Sequence, residues 1–368
     1  QTMIIPIKPW LDLADGKGIS GMGGHRSLQY KGLVLSSDME FDELGMPYRN
    51  GSDGLFGASF SDRMEFYHDP ILAPEILEAL QPIAGKQIFD GTLGGGGHAE
   101  LFLRNGAHVI GCDQDQDALD YAERRLAGYE DAFLPVRGNF RDMDSILGDL
   151  GIGQVDGILL DLGVSSRQLD NPARGFSFRE DGPLDMRMDD RAELSAADLV
   201  NQWEEEALIR IFREYGEERR AARVAREIVK ARSLKPIATT FELSEIVARA
   251  IPKTSAKNPA TKVFQAIRIA VNGELDALEA ALEKSVGLLA PKGVLAIITF
   301  HSLEDRIVKR FMHRRSNPFI DRPEWTEPRA NPDFCFHLPT RRAIEPDETE
   351  TKRNSRSRSA KLRIAIKA

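Results

Sequence analysis

The densest chemistry in the chain lies in Ile88-Phe89-Asp90-Gly91-Thr92-Leu93-Gly94-Gly95-Gly96-Gly97-His98, where an apolar run ends in a carboxylate and glycines lead into a helical pattern. Glycines let a ligand approach the backbone closely and tolerate positive φ, and a helix amino terminus offers free N–H donors to an anion. The bland alternative is a flexible turn with no ligand. Asp113 ends the next apolar run, Val109-Ile110-Gly111-Cys112-Asp113, at a position where an acid accepts hydrogen bonds from both ribose hydroxyls of a nucleoside. Dinucleotide folds share that acid but read Gly-x-Gly-x-x-Gly without an acid just before the first glycine. Here Asp90 precedes the loop, which favours a methyl donor, S-adenosylmethionine, over a nicotinamide cofactor.

Asp161 ends the run Asp156 to Asp161, where open α/β sheets bind ligands outside the carboxyl ends of their strands; its alternative role is to cap the following loop. Amino-methyltransferases of nucleic-acid bases often carry Asp/Asn/Ser-Pro-Pro-aromatic at this point. The chain reads Asp161-Leu162-Gly163-Val164 instead, so motif logic alone does not name the methylated atom.

The elements that must position these residues alternate. Periodicity predicts a helix near residues 74–80, a strand 87–90, a helix through Arg104, a strand 108–113, a helix 117–126, a strand 133–137, a helix 143–150 and a strand 156–161. Four strands alternating with helices imply a parallel sheet covered on both faces. The alternation then stops. Helical patterns fill 196–208, 209–232, 240–250 and 260–289, so residues 165–271 read as an all-helical insertion. The sheet resumes at 294–300, a helix follows over 302–315, and 361–366 alternates as an edge strand does. The expected fold is α/β, a Rossmann-like, mostly parallel sheet of the class I methyltransferase kind with an antiparallel edge strand. Its core halves are 64–164 and 272–368. Residues 1–63, rich in Gly, Ser and Asp, read as a poorly structured extension. Gly21-Met22-Gly23-Gly24-His25 imitates the later glycine loop there without a preceding strand.

Composition narrows the classes. No apolar run approaches the roughly 20 residues that cross a bilayer, so no membrane association is expected. Two cysteines, Cys112 and Cys335, fit a reducing compartment and a cytoplasmic protein. The net charge of −8 argues against a uniformly basic nucleic-acid binder. Basic residues concentrate, however, in 352–367, with seven Lys/Arg and no acid, and in 210–235, with nine Lys/Arg against four Glu. Those segments are either phosphate contacts or solvated faces.

The segment Asp156 to Asp170, with Arg174-Gly175-Phe176-Ser177-Phe178 and Asp181-Gly182-Pro183-Leu184-Asp185-Met186-Arg187-Met188-Asp189, resembles the ribosomal small-subunit methyltransferase H family. Further matching stretches begin at His68, Tyr215, Ala260, Phe300 and Ser359, so the likeness spans about four-fifths of the chain. It implies S-adenosylmethionine-dependent methylation of N4 of a cytosine in the decoding region of 16S ribosomal RNA. The partner it implies is the small ribosomal subunit. Position by position, Gly96, Gly97 and His98 contact the methyl donor, Asp113 holds its ribose, Phe140 lies by the adenine, and Asp161 and Gln168 complete the pocket. Ser166 and His301 would touch the target nucleotide; the alternative for the latter segment is that Ser302 with Glu304 and Asp305 caps the next helix.

The chain departs from the family pattern at Arg167, where proline is usual, at Asn354-Ser355-Arg356-Ser357-Arg358, usually Asn-Pro-Arg-Ala/Gly-Arg, and in a longer leader, which leaves an organellar form open. Asp161 or a backbone carbonyl of 163–166 would accept the amine N–H, and no metal is expected. A homodimer is left open. Two rivals stand beside this reading: a nicotinamide-dependent dehydrogenase and a non-catalytic RNA-binding assembly protein.

Overall fold

The computed structural model describes residues 70–251 and 258–368, together with the dipeptide strands Glu40–Phe41 and Pro47–Tyr48. The extension expected over 1–63 and the His68 stretch lie essentially outside these residues. Tyr67–Ala368 forms one compact unit.

Seven strands make one sheet: β1 (Gln87–Asp90), β2 (His108–Asp113), β3 (Phe133–Arg137), β4 (Val155–Asp161), β5 (Leu289–Thr299), β6 (Phe336–His337) and β7 (Lys361–Lys367). They lie in the order β6-β7-β5-β4-β1-β2-β3. The pairs joining β1 to β5 are parallel, while β7 runs antiparallel to β5, with Lys361 opposite Thr299. The strand order reverses direction at β1/β4, and a crevice opens there at the carboxyl ends of the strands. β7 is not quite the sheet's edge, as the two-residue β6 pairs outside it through Phe336 and His337. A pairing two residues long leaves no alternation to read.

Helices cover both faces. Val294, Ala296 and Ile298 of β5 join a core with α1 (Ala73–Ala79), α2 (Gly97–Arg104) and α3 (Gln116–Arg125). Leu295 and Ile297, on alternate positions, are buried on the opposite face. α4 (Met143–Asp149) and α11 (Glu274–Leu288) pack against one another on the sheet, α11 lying on β5.

Between β4 and β5 the chain forms α5 (Ser166–Asp170), α6 (Ala196–Gln202), α7 (Glu205–Glu214), α8 (Ala221–Arg232), α9 (Thr240–Ala250) and α10 (Ala260–Asn272). Buried residues of these helices and of the segments between them, from Phe176 to Ile267, form a hydrophobic cluster of their own. Serine and threonine begin α6 and α9: Ser195 with Asp198 and Thr239 with Glu242 form reciprocal capping boxes.

Three long helical patterns break where expectation ran on. α6 stops at Trp203. α7 stops before Gly216, whose added Cβ would lie 2.7 Å from the Lys262 carbonyl, so close packing against α10 requires glycine. α10 stops at Gly273, with φ of 58°. After β5, α12 spans Ser302–Ser316, and a short α13 (Glu348–Arg353) precedes β7.

Candidate active site

A single cavity gathers the ends of β1, β2, β4 and β5, the loop before α2, the start of α11 and the segment entering β7. Its walls include Gly94, Gly97, His98, Asp113, Phe140, Asp161, Ser166 and Gln168. Most of the residues named from sequence thus converge.

At the β2 side, Asp113 is held before any ligand arrives. Its Oδ2 accepts from the Gly94 N–H at 2.8 Å and its Oδ1 from the Asp115 N–H at 2.9 Å. Burial pushes its carboxyl up to about 6, against the pull of those N–H donors. Gly94 sits at φ 50°, and an added Cβ would meet only the Thr92 carbonyl, 3.8 Å away. The loop is therefore bare on its outer side, as a close approach by a ligand needs. Gly96 is not among the lining residues; its left-handed turn (φ 76°) brings it against Leu126 of the helix behind. Phe140 follows β3 and lines the cavity beside Asn139.

The centre of the crevice is acidic. Asp90 is buried, with its Oδ1 3.2 Å from the Thr92 N–H. Burial and the nearby Asp113 charge outweigh that bond and raise it to about 7. The backbone N–H of Asp161 donates to Thr92 Oγ1 at 2.6 Å, which fixes the end of β4. The Asp161 side chain is 26% exposed, yet its Oδ1 is buried without a hydrogen-bond partner. Burial first, then Asp90 and Glu304, push its carboxyl up to about 8.

His98 lies beside it, its Nδ1 3.8 Å from Asp161 Oδ2. The other ring nitrogen, Nε2, lies 3.0 Å from the Ile71 carbonyl, which can only accept. The Nδ1 lone pair therefore faces Asp161. Burial lowers His98 to about 4, so the ring is neutral and the pair is no ion pair.

Gln168 lines the cavity, but both ends of its amide are engaged: Oε1 with the Ser165 N–H at 3.0 Å and Nε2 with Asp115 Oδ2 at 2.8 Å. Asp115 is also gripped by Arg174 Nη1 at 2.7 Å, and Arg174 continues to the carbonyls of Arg187 and Met188. This knot ties the Arg174 and Asp181–Asp189 segments to the Asp113–Asp115 turn after β2. The two segments meet backbone to backbone: an added Cβ on Gly182 would fall 2.0 Å from the Pro172 carbonyl. Arg167, in place of proline, lies over the Tyr121 ring at 5.9 Å.

The His301 segment resolves differently from expectation. His301 is the N-cap of α12: its Nδ1 accepts from the Glu304 N–H at 3.4 Å, and Glu304 accepts from the Phe300 and His301 N–H groups. Its Nε2 faces Glu304 Oε1 at 3.0 Å, and the residue is not among those lining the cavity. Ser302 does not cap; its hydroxyl reaches Glu217 Oε2 at 3.1 Å.

Glu304 is buried and lines the cavity. His301, Arg268 and the Phe300 N–H outweigh its burial and hold it below the usual carboxylate range. Glu274, His301 and Glu304 bring ligand-type atoms within 4.8 Å of one another. Arg268, however, already matches the Glu274 charge through two 2.7 Å bonds.

Sequence reasoning did not single out Asp115, Arg174, Glu304, Asn354 or Arg356 for this site. Arg174 and Glu304 lie in the shared stretches, the latter weighed as part of a helix cap; Asn354 and Arg356 lie in the stretch that departs from the family pattern, and Asp115 carried no signal.

A family model described as the MraW methylase family matches residues 65–368. The ribosomal RNA small subunit methyltransferase H of Carboxydothermus hydrogenoformans is 50% identical over 307 residues, 83% of this chain and 99% of that one. The protein of the same name from Syntrophotalea carbinolica is 49% identical over 82% of this chain and 98% of its own length. That of Deinococcus radiodurans is 50% identical over 82% and 90%.

Proposed function

The chain belongs to the MraW methylase family, and from that premise we propose that it methylates N4 of a cytosine in the decoding region of 16S ribosomal RNA, using S-adenosylmethionine. The observation that carries the reading is the convergence of Asp113, the bare glycine loop and an unpartnered Asp161 oxygen in one crevice. The names of the relatives supply the RNA. Membership of a methylase family removes the support for a nicotinamide-dependent dehydrogenase. A non-catalytic assembly protein would have no physical need for an orphaned buried carboxylate oxygen, which costs stability.

The residues fit the donor. Asp113 would hold the ribose hydroxyls, Phe140 would flank the adenine, and Gly97 with His98 would face the methionine end. What the bound donor supplies is an electrophilic methyl on a sulfonium sulfur. The cytosine amine is a poor nucleophile because its lone pair is delocalised into the ring, so the protein's part is positioning and proton removal. Asp161 Oδ1 would accept the amine N–H, favour a pyramidal nitrogen and take the proton as the N–C bond forms and the methyl–sulfur bond breaks, with that bond's electron pair left on a neutral thioether sulfur. Gln168 acts through Asp115 and Ser165, as a positioning residue. A stacked cytosine cannot reach the crevice, so the base is flipped or single-stranded when it reacts.

In this reading 64–164 and 272–368 bind the donor, and 165–271, with its separate core, recognises the RNA. Exposed Arg219, Arg220, Arg223 and Arg226 flank or sit on α8, whose Val224, Ala225 and Ile228 face inward. If these arginines meet phosphates, Arg223→Glu/Arg226→Glu lowers the slope of log affinity for RNA against log salt by about one to two. An unchanged slope assigns them to a solvated face. No helix of the described residues is long and apolar enough to cross a membrane, and a ribosomal RNA substrate supports the cytoplasmic reading.

The test is transfer of labelled methyl from S-adenosylmethionine to small ribosomal subunits and to free RNA, followed by nucleoside mass analysis. Labelled N4-methylcytidine is the expected product. Donor binding without transfer to either substrate overturns the RNA reading.

A further inference from the structure

Five side-chain amides line the cavity among the described residues: Gln114, Asn139, Gln168, Asn272 and Asn354. Four have their NH2 groups engaged. Asn139 Nδ2 donates to Gln114 Oε1, Gln114 Nε2 to Met188 Sδ, Gln168 Nε2 to Asp115, and Asn272 Nδ2 to the Met186 and Arg268 carbonyls. Asn354 differs. Its Oδ1 accepts from the Arg356 N–H at 3.1 Å, its carbonyl accepts from Ser357, and its N–H donates to the Glu350 carbonyl at 2.7 Å. The Oδ1 bond fixes which end of the amide is which. That leaves Nδ2 without a hydrogen-bond partner in a residue only 8% exposed, on a side chain that lines the cavity.

Its place in the sheet gives the vacant donor a meaning. β7 begins at Lys361, opposite Thr299 near the carboxyl end of the oppositely directed β5. The segment entering β7 therefore lies at the same edge as the loops leaving β1, β2, β4 and β5. Along that edge the order is β2 with Asp113, β1 with the glycine loop, β4 with Asp161, β5 with Phe300, and then β7 with Asn354. The proposed donor site occupies the β2, β1 and β4 end, so the β5 and β7 end is left for the acceptor.

Asp161 and Asn354 both line this cavity and each holds a polar atom without a hydrogen-bond partner, in complementary senses: Oδ1 of Asp161, an acceptor once the carboxyl is ionised, and Nδ2 of Asn354, a donor whose amide is oriented by the Arg356 N–H on Oδ1. Cytosine presents the matching edge, an amine N–H donor at N4 beside an acceptor at ring N3. Uracil presents the reverse, an acceptor at O4 beside N3–H. Resting on the methyl-transfer reading above, we propose that Asn354 is a specificity-determining residue: its Nδ2 donates to ring N3 of the target cytosine and, with Asp161, selects the 4-aminopyrimidine edge. A site built to pair with a polar edge rejects the base that cannot satisfy it.

Asn354→Asp separates recognition from structure, because the retained Oδ1 still caps the Arg356 N–H while the donor is lost. Asn354→Ser adds no charge: its hydroxyl oxygen can still accept from the Arg356 N–H, while its shorter side chain carries no donor to the place that Nδ2 holds. Both variants are expected to keep the donor dissociation constant and the melting temperature close to wild type. Both should lose about 10- to 100-fold in kcat/KM for the small subunit or RNA, the range of one base-edge contact. If Asn354 only caps its turn, Asn354→Asp and Asn354→Ser retain wild-type kcat/KM, and the assignment is overturned. If wild-type protein itself makes no N4-methylcytidine, the function reading fails and takes the assignment with it; normal wild-type transfer with silent variants sinks the assignment alone.

Discussion

Asp161→Asn is expected to lower kcat for methyl transfer by about 100-fold or more at saturating donor and RNA, the range for losing one general base or charge-stabilising group. The donor dissociation constant should stay within a few-fold. The asparagine keeps the shape and an acceptor oxygen, but it takes no proton from the amine. The pH profile supplies the sharper readout. Burial, together with Asp90 and Glu304, raises the Asp161 carboxyl to about 8 in the free protein. Only its ionised form accepts the proton, so wild-type kcat/KM rises about tenfold per pH unit below 8 and levels off above it. The asparagine variant should be flat across that limb. Asp90→Asn removes one of the charges that raise Asp161, and so should move the limb to lower pH. A variant with full turnover, or one that keeps the wild-type limb, would mean that Asp161 is not the proton acceptor.

What the sequence revealed of this site, and what it hid, follows the range of the interactions. Asp90, Asp113 and Asp161 end apolar strands, and strand ends can be read from local periodicity. Once the sheet was inferred, its rules placed all three at one edge. The Arg174–Asp115 pair joins residues 59 apart in sequence, and no local pattern announces it. Asn354 enters the cavity because β7 runs backwards beside β5, a consequence of pairing and not of the residues around Asn354. The break at Gly216 likewise depends on a carbonyl of α10, at Lys262. Histidine at the N-cap of α12 was missed for a different reason: Ser302, one residue on, is the commoner capping type, and only the observed geometry shows that His301 takes the role.

The second large effect belongs to Asp113. In the proposed site each of its oxygens keeps a lone pair for a ribose hydroxyl while the other is spent on the Gly94 or Asp115 N–H. Two charge-assisted bonds at about 1.5–3 kcal/mol each correspond to roughly 100-fold or more in affinity. Asp113→Ala is therefore expected to raise the S-adenosylmethionine dissociation constant by at least about 100-fold, with kcat at saturation little changed. Asp113→Asn, retaining one acceptor, should fall between. The direction with pH follows from burial, which raises this carboxyl to about 6: below that value it is protonated and one acceptor is lost, so donor affinity weakens as pH falls through 6. Conversely, ribose hydroxyls favour the carboxylate and draw its pKa downward, so donor binding near pH 6 releases a fraction of a proton. Calorimetry in buffers of different ionisation enthalpy measures that release, and Asp113→Ala should lack it. If the alanine variant binds the donor as tightly as wild type, Asp113 holds the loop and not the ribose.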